Sequence, residues 1–147
     1  MGLACSCGVR TNPIAVDPDI LMAFPDGMTR RGALTLTANI CADRPELSTF
    51  TASFVDPTVG DNRSFAFTST TFTTISCEII QGECTVSITG MGLVTGELTP
   101  RLFFVQFIDS PSPLSDTLSA FSVGDFAVII EVGELQPALT FFGCPTT

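Results

Sequence analysis

Cysteine is the residue with the most evident chemistry in this sequence, because the chain has no histidine and no lysine. The cysteines are Cys5, Cys7, Cys41, Cys77, Cys84 and Cys144. Mixed Cys–His zinc sites are excluded, and a four-thiolate site normally shows two C-x-x-C pairs, which are absent here. A cysteine nucleophile would need a histidine base or a cationic neighbour. We therefore interpret the cysteines as disulfide-bonded in an oxidising compartment, in preference to six inert buried thiols.

The spacing of the cysteines suggests one local pairing but does not fix the connectivity, since six cysteines allow many pairings. Two β-like segments flank Gln81-Gly82 and predict a hairpin. In it Cys77 and Cys84 would lie opposite or diagonal, close enough for a bridge if their Cα atoms are within about 7 Å. We predict an intrachain disulfide between them. Residues 1–12 hold Cys5 and Cys7 without hydrophobic periodicity, which indicates a flexible tether.

Paired carboxylates are the other candidates for chemistry. Asp17 with Asp19, and Asp56 with Asp61, are close in sequence, as acid–base or glycosidase chemistry would need. All four lie beside Pro, Gly or Asn, however, which is typical of aspartates that form turns. The D-x-D-x-D-G pattern of a calcium loop is absent, although calcium binding by these acidic loops stays open. We predict no catalytic site, no metal site and no cofactor, and we do not expect an enzyme.

Composition narrows the classes of partner. The chain has 147 residues, of which 45% are hydrophobic and 14% are charged, and its net charge is −9. A disordered chain would be poorer in apolar residues and richer in charge. The six basic residues are all arginines without a cluster, which argues against nucleic acid and anionic membrane surfaces as partners. No run of about 18 apolar residues exists, so we expect no membrane insertion.

Apolar and polar residues alternate in several short segments, as they do in half-buried strands. Residues 32–41 (GALTLTANIC) alternate clearly, with Cys41 on the polar face or just past the strand end. Residues 48–55 repeat the pattern. Residues 101–108 (RLFFVQFI) are apolar on both faces, so we expect a central strand or one covered by a neighbouring subunit. The inward positions predict a core that includes Phe50, Phe54, Phe65, Phe67, Val128 and Ile130.

The remaining segments complete an all-β pattern. Residues 13–31 read as a linker that enters a short strand at 20–24, and residues 64–68 and 70–80 read as separate strands. Residues 90–100 read as a loop. Strands are predicted at 118–123 and 126–132, joined at Gly124-Asp125, and a last one at 139–142. About eight to ten short strands with regular turns indicate a two-sheet β-sandwich, preferably a jelly roll.

The predicted organisation is a flexible connector at residues 1–18 followed by one β-sandwich domain at residues 19–147. The thirteen phenylalanines suit a dry core between two sheets. No apolar segment of about 7–15 residues stands at the N-terminus, so a classical secretory signal is not expected. Since disulfides require an oxidising environment, we expect a location outside the cell or on a spore or cell surface.

A cysteine pair in a short arm, a Thr-rich and lysine-free β-domain, and a cysteine near the C-terminus together resemble the endospore-appendage (Ena) subunits of spore-forming bacteria. The resemblance implies a jelly-roll subunit that stacks helically into a fibre, with neighbouring sheets extended edge to edge. It also implies that Cys5 and Cys7 (MGLACSCG) are connector cysteines, with Cys144 (FFGCPTT) and Cys41 (TANIC) as acceptors in other subunits. The sequence departs from that family in its C-x-C arrangement and in the additional Cys77 and Cys84.

The sequence therefore predicts a structural subunit of a self-assembling, disulfide-linked fibre. Its partners would be copies of itself, with a surface anchor or a tip protein. Lysine usually guards exposed strand edges, and its absence suits strand addition between copies. Two alternatives stay open: a secreted carbohydrate-binding or adhesive β-sandwich module, and a jelly-roll coat or shell subunit.

Overall fold

The protein is an all-β chain in the computed structural model, which describes residues 7–11, 14–60, 62–109, 117–128 and 139–142, apart from the side chains at 17 and 18. The strands are β1 (Gly8–Arg10), β2 (Ala15–Ala23), β3 (Thr29–Cys41), β4 (Thr49–Val55), β5 (Phe65–Ile80), β6 (Glu83–Val94), β7 (Arg101–Asp109), β8 (Thr117–Val123), β9 (Phe126–Val128) and β10 (Thr140–Phe142). The described residues also form a short 3-10 helix at Pro45–Leu47. No helix in this part of the chain could cross a membrane.

The strands form one antiparallel sheet that closes on itself. Each strand from β2 to β9 pairs with its neighbours in the chain, and β9 returns to pair with β2, where Met22 faces Val128. β1 pairs with the last residues of β3, on the same edge as β2, and Val9 lies opposite Ile40. β10 pairs with the other edge of β1. The order is up-and-down, because strands that follow each other in the chain pair with each other from β2 to β9. It differs from the Greek-key order of a jelly roll.

Alternation along the strands places one face of the sheet in the core. Phe50, Phe54 and Phe67 are buried, as predicted. Phe65 and Val128 are half-buried against the core, and residue 130 lies outside the described part of the chain. β7 pairs with both β6 and β8, but burial of both its faces is wrong for the single chain, since Leu102 is 67% exposed on the outer face. Cover by a neighbouring subunit, the other predicted possibility, stays a prediction.

The hairpin of β5 and β6 is the longest feature of the fold. Its predicted turn is confirmed: Gln81 and Gly82 have φ values of 53° and 83°. The two predicted strands at 64–68 and 70–80 form one strand, β5. The register against β6 shifts between Ser69 and Thr71 and between Phe72 and Thr74, but the pairing continues on both sides of each shift. Bulges of this kind bend and twist a strand without ending it.

The predicted loop at residues 90–100 is wrong for its first five residues, since β6 continues to Val94. Gly90 and Gly92 read as loop residues in the sequence but lie within the strand. The ring of Phe67 occupies the space that a side chain at Gly92 would need, and Phe103 does the same at Gly90. These glycines let aromatic rings pack directly on the backbone of β6.

The N-terminal region is more ordered than the prediction of a connector suggested. The predicted boundary at residue 18 falls within β2, and the predicted linker at 13–31 contains strand from Ala15 onwards. The register of β2 against β3 shifts between Asp17 and Ile20, around the proline at position 18 that lacks an N–H for the ladder. Val9 in β1 and Ala15 in β2 are fully buried, so the strands before and after residue 12 both contribute to the core.

Candidate functional site: a disulfide-linked end and an open strand edge

A disulfide bond between Cys7 and Cys77 joins two parts of the sheet that do not pair as strands. Cys7 immediately precedes β1, and Cys77 lies near the far end of β5. Their sulfurs are 2.06 Å apart, their Cα atoms are 5.8 Å apart, and 70 positions separate them in the chain. Among the described strands, β5 pairs with β4 and β6, and β1 with β3 and β10. The bond therefore fastens the β1 region onto the long hairpin.

Backbone contacts around Cys7 hold this link in place. The N–H of Ala42 donates to the carbonyl oxygen of Cys7 at 2.8 Å. The next residue, Gly8, faces both Cys41 on β3 and Phe142 on β10. On the other side, the sulfur of Cys77 lies 3.5 Å from the carbonyl oxygen of Phe142. The ends of β3, β10 and β5 thus converge on one bond.

The predicted bridge between Cys77 and Cys84 is not the one that the structure contains. The hairpin register places Cys77 opposite Val86 and Cys84 opposite Ile79, so the two cysteines are diagonal. Diagonal cross-strand neighbours are about 7–8 Å apart, beyond the usual Cα separation of a disulfide. Cys84 is also disulfide-bonded. Both residues therefore form disulfides, but not with each other.

The cysteines that were predicted to link subunits differ in what the structure shows of their bonding. Cys7 is bonded within its own chain, which corrects its predicted availability as a tether in the single chain. The reason is that β1 is part of the sheet and not a free arm, so Cys7 lies next to β5. Cys41 ends β3, is half-buried and is disulfide-bonded. Cys5 and Cys144 lie outside the described residues.

β5 has an edge that sequence reasoning did not locate. Residues 65–68 pair with β4, where the last contact joins Thr51 to Thr68, and pairing with β6 begins at Phe67. Beyond it, the N–H of Phe50 donates to the Ser69 hydroxyl at 3.0 Å. Residues 69–80 pair with β6 alone among the described strands. Unequal strand lengths produce this edge, and the sequence signal for it is the Thr-rich run STTFTT after a shorter β4.

A shallow groove of about 110 Å³ runs beside this edge. Ala42 and Pro45, from the turn that contains the 3-10 helix, form one wall, and residues 72–75 of β5 form the other. All the side chains that line it are threonines or apolar groups, so none of the lining residues is charged. The groove suits a backbone or small apolar side chains better than a charged ligand.

A larger cavity of about 480 Å³ lies at the loop between β6 and β7, lined by residues 97–101. Its charged groups already neutralise each other, because the Arg101 guanidinium donates to both carboxylate oxygens of Glu97. Hydrogen bonding to Glu97 raises the pKa of Arg101. The guanidinium also lies over the ring of Phe126, 5.7 Å from its centroid. These contacts fit a structural role for the pair.

Asp56 forms a turn, as the sequence predicted. Its carboxylate accepts hydrogen bonds from the N–H groups of Thr58 and Arg63, each at 2.9 Å. A hydrogen bond from the Thr58 side chain, assisted by these N–H groups and the charge of Arg30, holds the pKa of Asp56 below its ordinary value. Asp19, by contrast, lies 3.3 Å from Arg31 in an exposed ion pair. The side chain at 17 and all of residue 61 lie outside the description.

Carboxylate, cysteine and histidine side chains are the groups from which a metal site would be built. No group of three or more such side chains able to hold a metal ion occurs among the described residues. Comparison with protein-family models, with curated proteins and with solved structures gives no match. The candidate site is therefore defined by its geometry alone: the disulfide-linked end, the open edge of β5 and the groove beside it.

Proposed function

We propose that this chain is a structural, non-enzymatic subunit of a self-assembling fibre, in which copies are joined by strand pairing at β5 and by disulfide bonds. The observation that carries the proposal is the open edge at residues 69–80. A second chain can add a strand to such an edge through main-chain hydrogen bonds. When the contact is heterologous and does not close, repetition gives a filament.

The composition of the edge supports its use in assembly. Proteins that remain monomeric usually guard an edge with lysine or other charges. Residues 69–80 contain a single charged side chain, Glu78. The two bulges fall in the first part of the segment, whereas residues 74–80 keep a regular register with β6. The regular part is the stretch on which a strand of the next copy is proposed to pair.

The Cys7–Cys77 bond suggests how the covalent link forms. In the proposed fibre, residues 7–11 of one copy take the same place in the next copy, and Cys7 bonds to Cys77 of that neighbour. Such an exchange reuses contacts that the single chain already makes and so needs no new surface. The proposal depends neither on a two-sheet jelly roll nor on a free N-terminal arm, but only on the exchange of this short segment between copies.

The proposed surroundings follow from the same features. Disulfides persist in oxidising compartments, so the fibre is placed outside the cell or on a spore or cell surface. Its partners are copies of the chain, with a surface anchor or a tip protein at its ends. With a net charge of −9, nucleic acid is not a proposed partner.

Isotope mixing tests whether the disulfide joins copies. Equal amounts of ¹⁴N and ¹⁵N chains are mixed under reducing conditions, oxidised to assemble, and cleaved after Arg and Glu without reduction. Species that join residues 1–10 to residues 64–78 are then measured by mass spectrometry. A bond between copies gives mixed light–heavy species as abundant as the two pure ones together. Pure species alone, from preparations without fibres in electron microscopy, would contradict the proposal.

A matched pair of variants tests the edge. Ser76→Lys places a charge on the open edge of β5, and we expect it to prevent long fibres. Ser53→Lys places the same charge on β4, which is paired on both sides at this position, and we expect fibres of normal length. Electron microscopy of both variants gives the comparison. Fibres of equal length from both would show that the β5 edge is not used.

A further inference from the structure

Residues 7–11 occupy a narrow place between two other strands. β1 lies between β3 and β10 and runs antiparallel to both, so each of its edges faces a partner strand. At the start of the segment, Cys7 is bonded to Cys77 of β5. We call the surroundings of this segment the β1-binding site, and we define it as residues 38–41 of β3, the whole of β10, and Cys77.

The middle of the segment fills an apolar position in this site. Val9 is fully buried. It lies opposite Ile40 on one side and Phe141 on the other. Ile40 is itself buried, and Phe141 packs against the core. A polar side chain at position 9 would lose its hydration there, which costs free energy unless a hydrogen bond replaces it.

The end of the segment is bound through a side-chain hydroxyl. The N–H of Thr11 donates to the carbonyl oxygen of Ala38, and the N–H of Ala38 donates to the Thr11 hydroxyl, both at 3.0 Å. In a continued ladder the second bond would go to the main-chain carbonyl of residue 11, so the hydroxyl takes its place. Thr11 is 5% exposed, and a buried N–H that loses its acceptor is costly.

These three contacts have the spacing of one strand face. Cys7, Val9 and Thr11 alternate along the chain, and a shift of one residue would move all three side chains to the opposite face. Of the six cysteines, Cys7 alone is followed by an apolar residue two positions later and by Ser or Thr four positions later. The site therefore matches this segment in one register, and the chain holds no second segment of the same pattern.

We propose that the β1-binding site is selective for an extended segment with a thiol, an apolar side chain and a hydroxyl at alternate positions, and that residues 7–11 of another copy are its occupant in the fibre. Val9 and Thr11 determine which segment binds and in which register, and Cys7 then makes the contact covalent. This inference deepens the proposed function and rests on it, because the exchange between copies supplies the segment.

The covalent step is a thiol–disulfide exchange at Cys77. Where Cys77 carries glutathione as a mixed disulfide, the thiolate of the incoming segment attacks the Cys77 sulfur, and glutathione leaves as its thiolate. One disulfide replaces another, so the step needs neither an oxidant nor a reductant. The equilibrium between glutathione and a short peptide at Cys77 therefore measures what the other side chains of the peptide contribute.

The test measures peptide uptake by the full chain with Cys7→Ser, in which the segment of the chain itself cannot bond to Cys77. The peptide CGVRT, acetylated and amidated at its ends, competes with glutathione, and mass spectrometry measures the fraction joined to Cys77. The peptide CVGRT has the same composition but places valine on the other face. We expect its uptake, and that of CGVRT with Thr11→Val, to be at least tenfold lower.

A change on the outward face is the matched control. Arg10 is exposed, and its guanidinium lies 5.9 Å from the ring centroid of Phe142. An exposed contact of this kind contributes little, so CGVRT with Arg10→Gln should stay within about fivefold of the original peptide. A uniform loss in all altered peptides would show that the site does not read the inward face.

The wild-type chain gives a second measurement that does not depend on the folding of Cys7→Ser. In glutathione buffer the peptide must displace the segment of the chain itself, so we expect lower uptake with the same ranking of peptides. During assembly, excess CGVRT should occupy the site and shorten fibres in electron microscopy, whereas CVGRT should leave their length unchanged.

The outcomes separate this inference from the proposed function. If CVGRT or the Thr11→Val peptide joins Cys77 as strongly as CGVRT, the selectivity of the β1-binding site is overturned, while fibre formation stands on its own tests. If the ranking of peptides holds but the wild type forms no fibres on oxidation, the proposed function fails while the β1-binding site stands.

Discussion

The two parts of β5 have opposite surroundings, although one continuous strand contains both. Residues 65–68 lie between β4 and β6, and Phe67 is buried against Phe50 and Phe103. Residues 69–80 lie beside β6 alone among the described strands, and most of their side chains are exposed. Sequence follows this division, since the first part is FAFT and the second is rich in threonine.

The difference shows two ways of holding a strand. The first part of β5 is fixed by packing, where burial of aromatic rings supplies the free energy. The second part has β6 as its one partner among the described strands and is held by its hairpin and by the Cys7–Cys77 bond. Packing specifies the closed portion of the sheet, and covalent chemistry specifies the open portion.

The largest expected effect comes from Phe67→Ala compared with Phe72→Ala on the same strand. Phe67 is 1% exposed, and removing a fully buried phenylalanine costs about 3–5 kcal/mol of unfolding free energy. Phe72 is half-buried and meets Phe103 edge to face, so its loss should cost about 1 kcal/mol. Chemical denaturation of both variants measures the difference. Equal losses would show that the two parts of β5 are equally packed.

The disulfide is the next largest contribution. Replacing Cys7 and Cys77 together by serine removes a link across 70 positions without leaving an unpaired thiol. We expect a loss of about 2–4 kcal/mol, because the unfolded chain regains its freedom. Hydrogen exchange should speed up at Val9 and Phe142 and stay slow at Val105. Uniform acceleration would mean that the bond supports the whole sheet and not one end.

The smallest effect concerns acid stability at Asp56. Its folded-state pKa lies below the ordinary value of 3.8, so its carboxylate stabilises the fold above that value. This contribution is lost as the pH falls through the folded-state pKa. Asp56→Asn should therefore flatten the decline in denaturation midpoint between about pH 5 and pH 3.

Thr58→Ala serves as the matched variant for this test. It keeps the carboxylate and the backbone N–H of residue 58 but removes the side-chain hydrogen bond, which contributes most to lowering the pKa. The decline should be intermediate between those of the wild type and Asp56→Asn. A wild-type decline in both variants would place the acid-sensitive group elsewhere, and Asp26, whose pKa is also lowered by Met28 and Arg63, would be the next residue to change.

The sequence predicted those features that depend on local pattern. Alternation along residues 34–40 gave the inward face of β3, and the Gln81-Gly82 turn gave the hairpin. Closure of the sheet was not predictable in this way, because it depends on which distant strands meet. The pairing of Cys7 with Cys77 is of the same kind, since no local spacing connects residues 70 positions apart.

The errors in strand limits have a similar origin. Gly90 and Gly92 resemble loop residues until the rings of Phe103 and Phe67 are placed against them. The open edge of β5 likewise follows from the unequal lengths of β4 and β5, and not from either strand alone. The apolar outer face of β7 was visible in the sequence, but its neighbours Met91 and Leu93 became known only with the register.

The Cys7–Cys77 bond also determines how the chain would respond to mechanical tension. In the single chain, a pull applied at the N-terminus passes through the disulfide directly to β5 and bypasses residues 8–76. β1 to β4 thus carry no load while the bond is intact. If the bond is reduced under tension, that hidden stretch can extend by roughly 240 Å, at about 3.4 Å per residue. In the proposed fibre the same bond joins one copy to the next, so tension would pass between copies through Cys77, and after reduction the non-covalent contacts between copies would carry it alone.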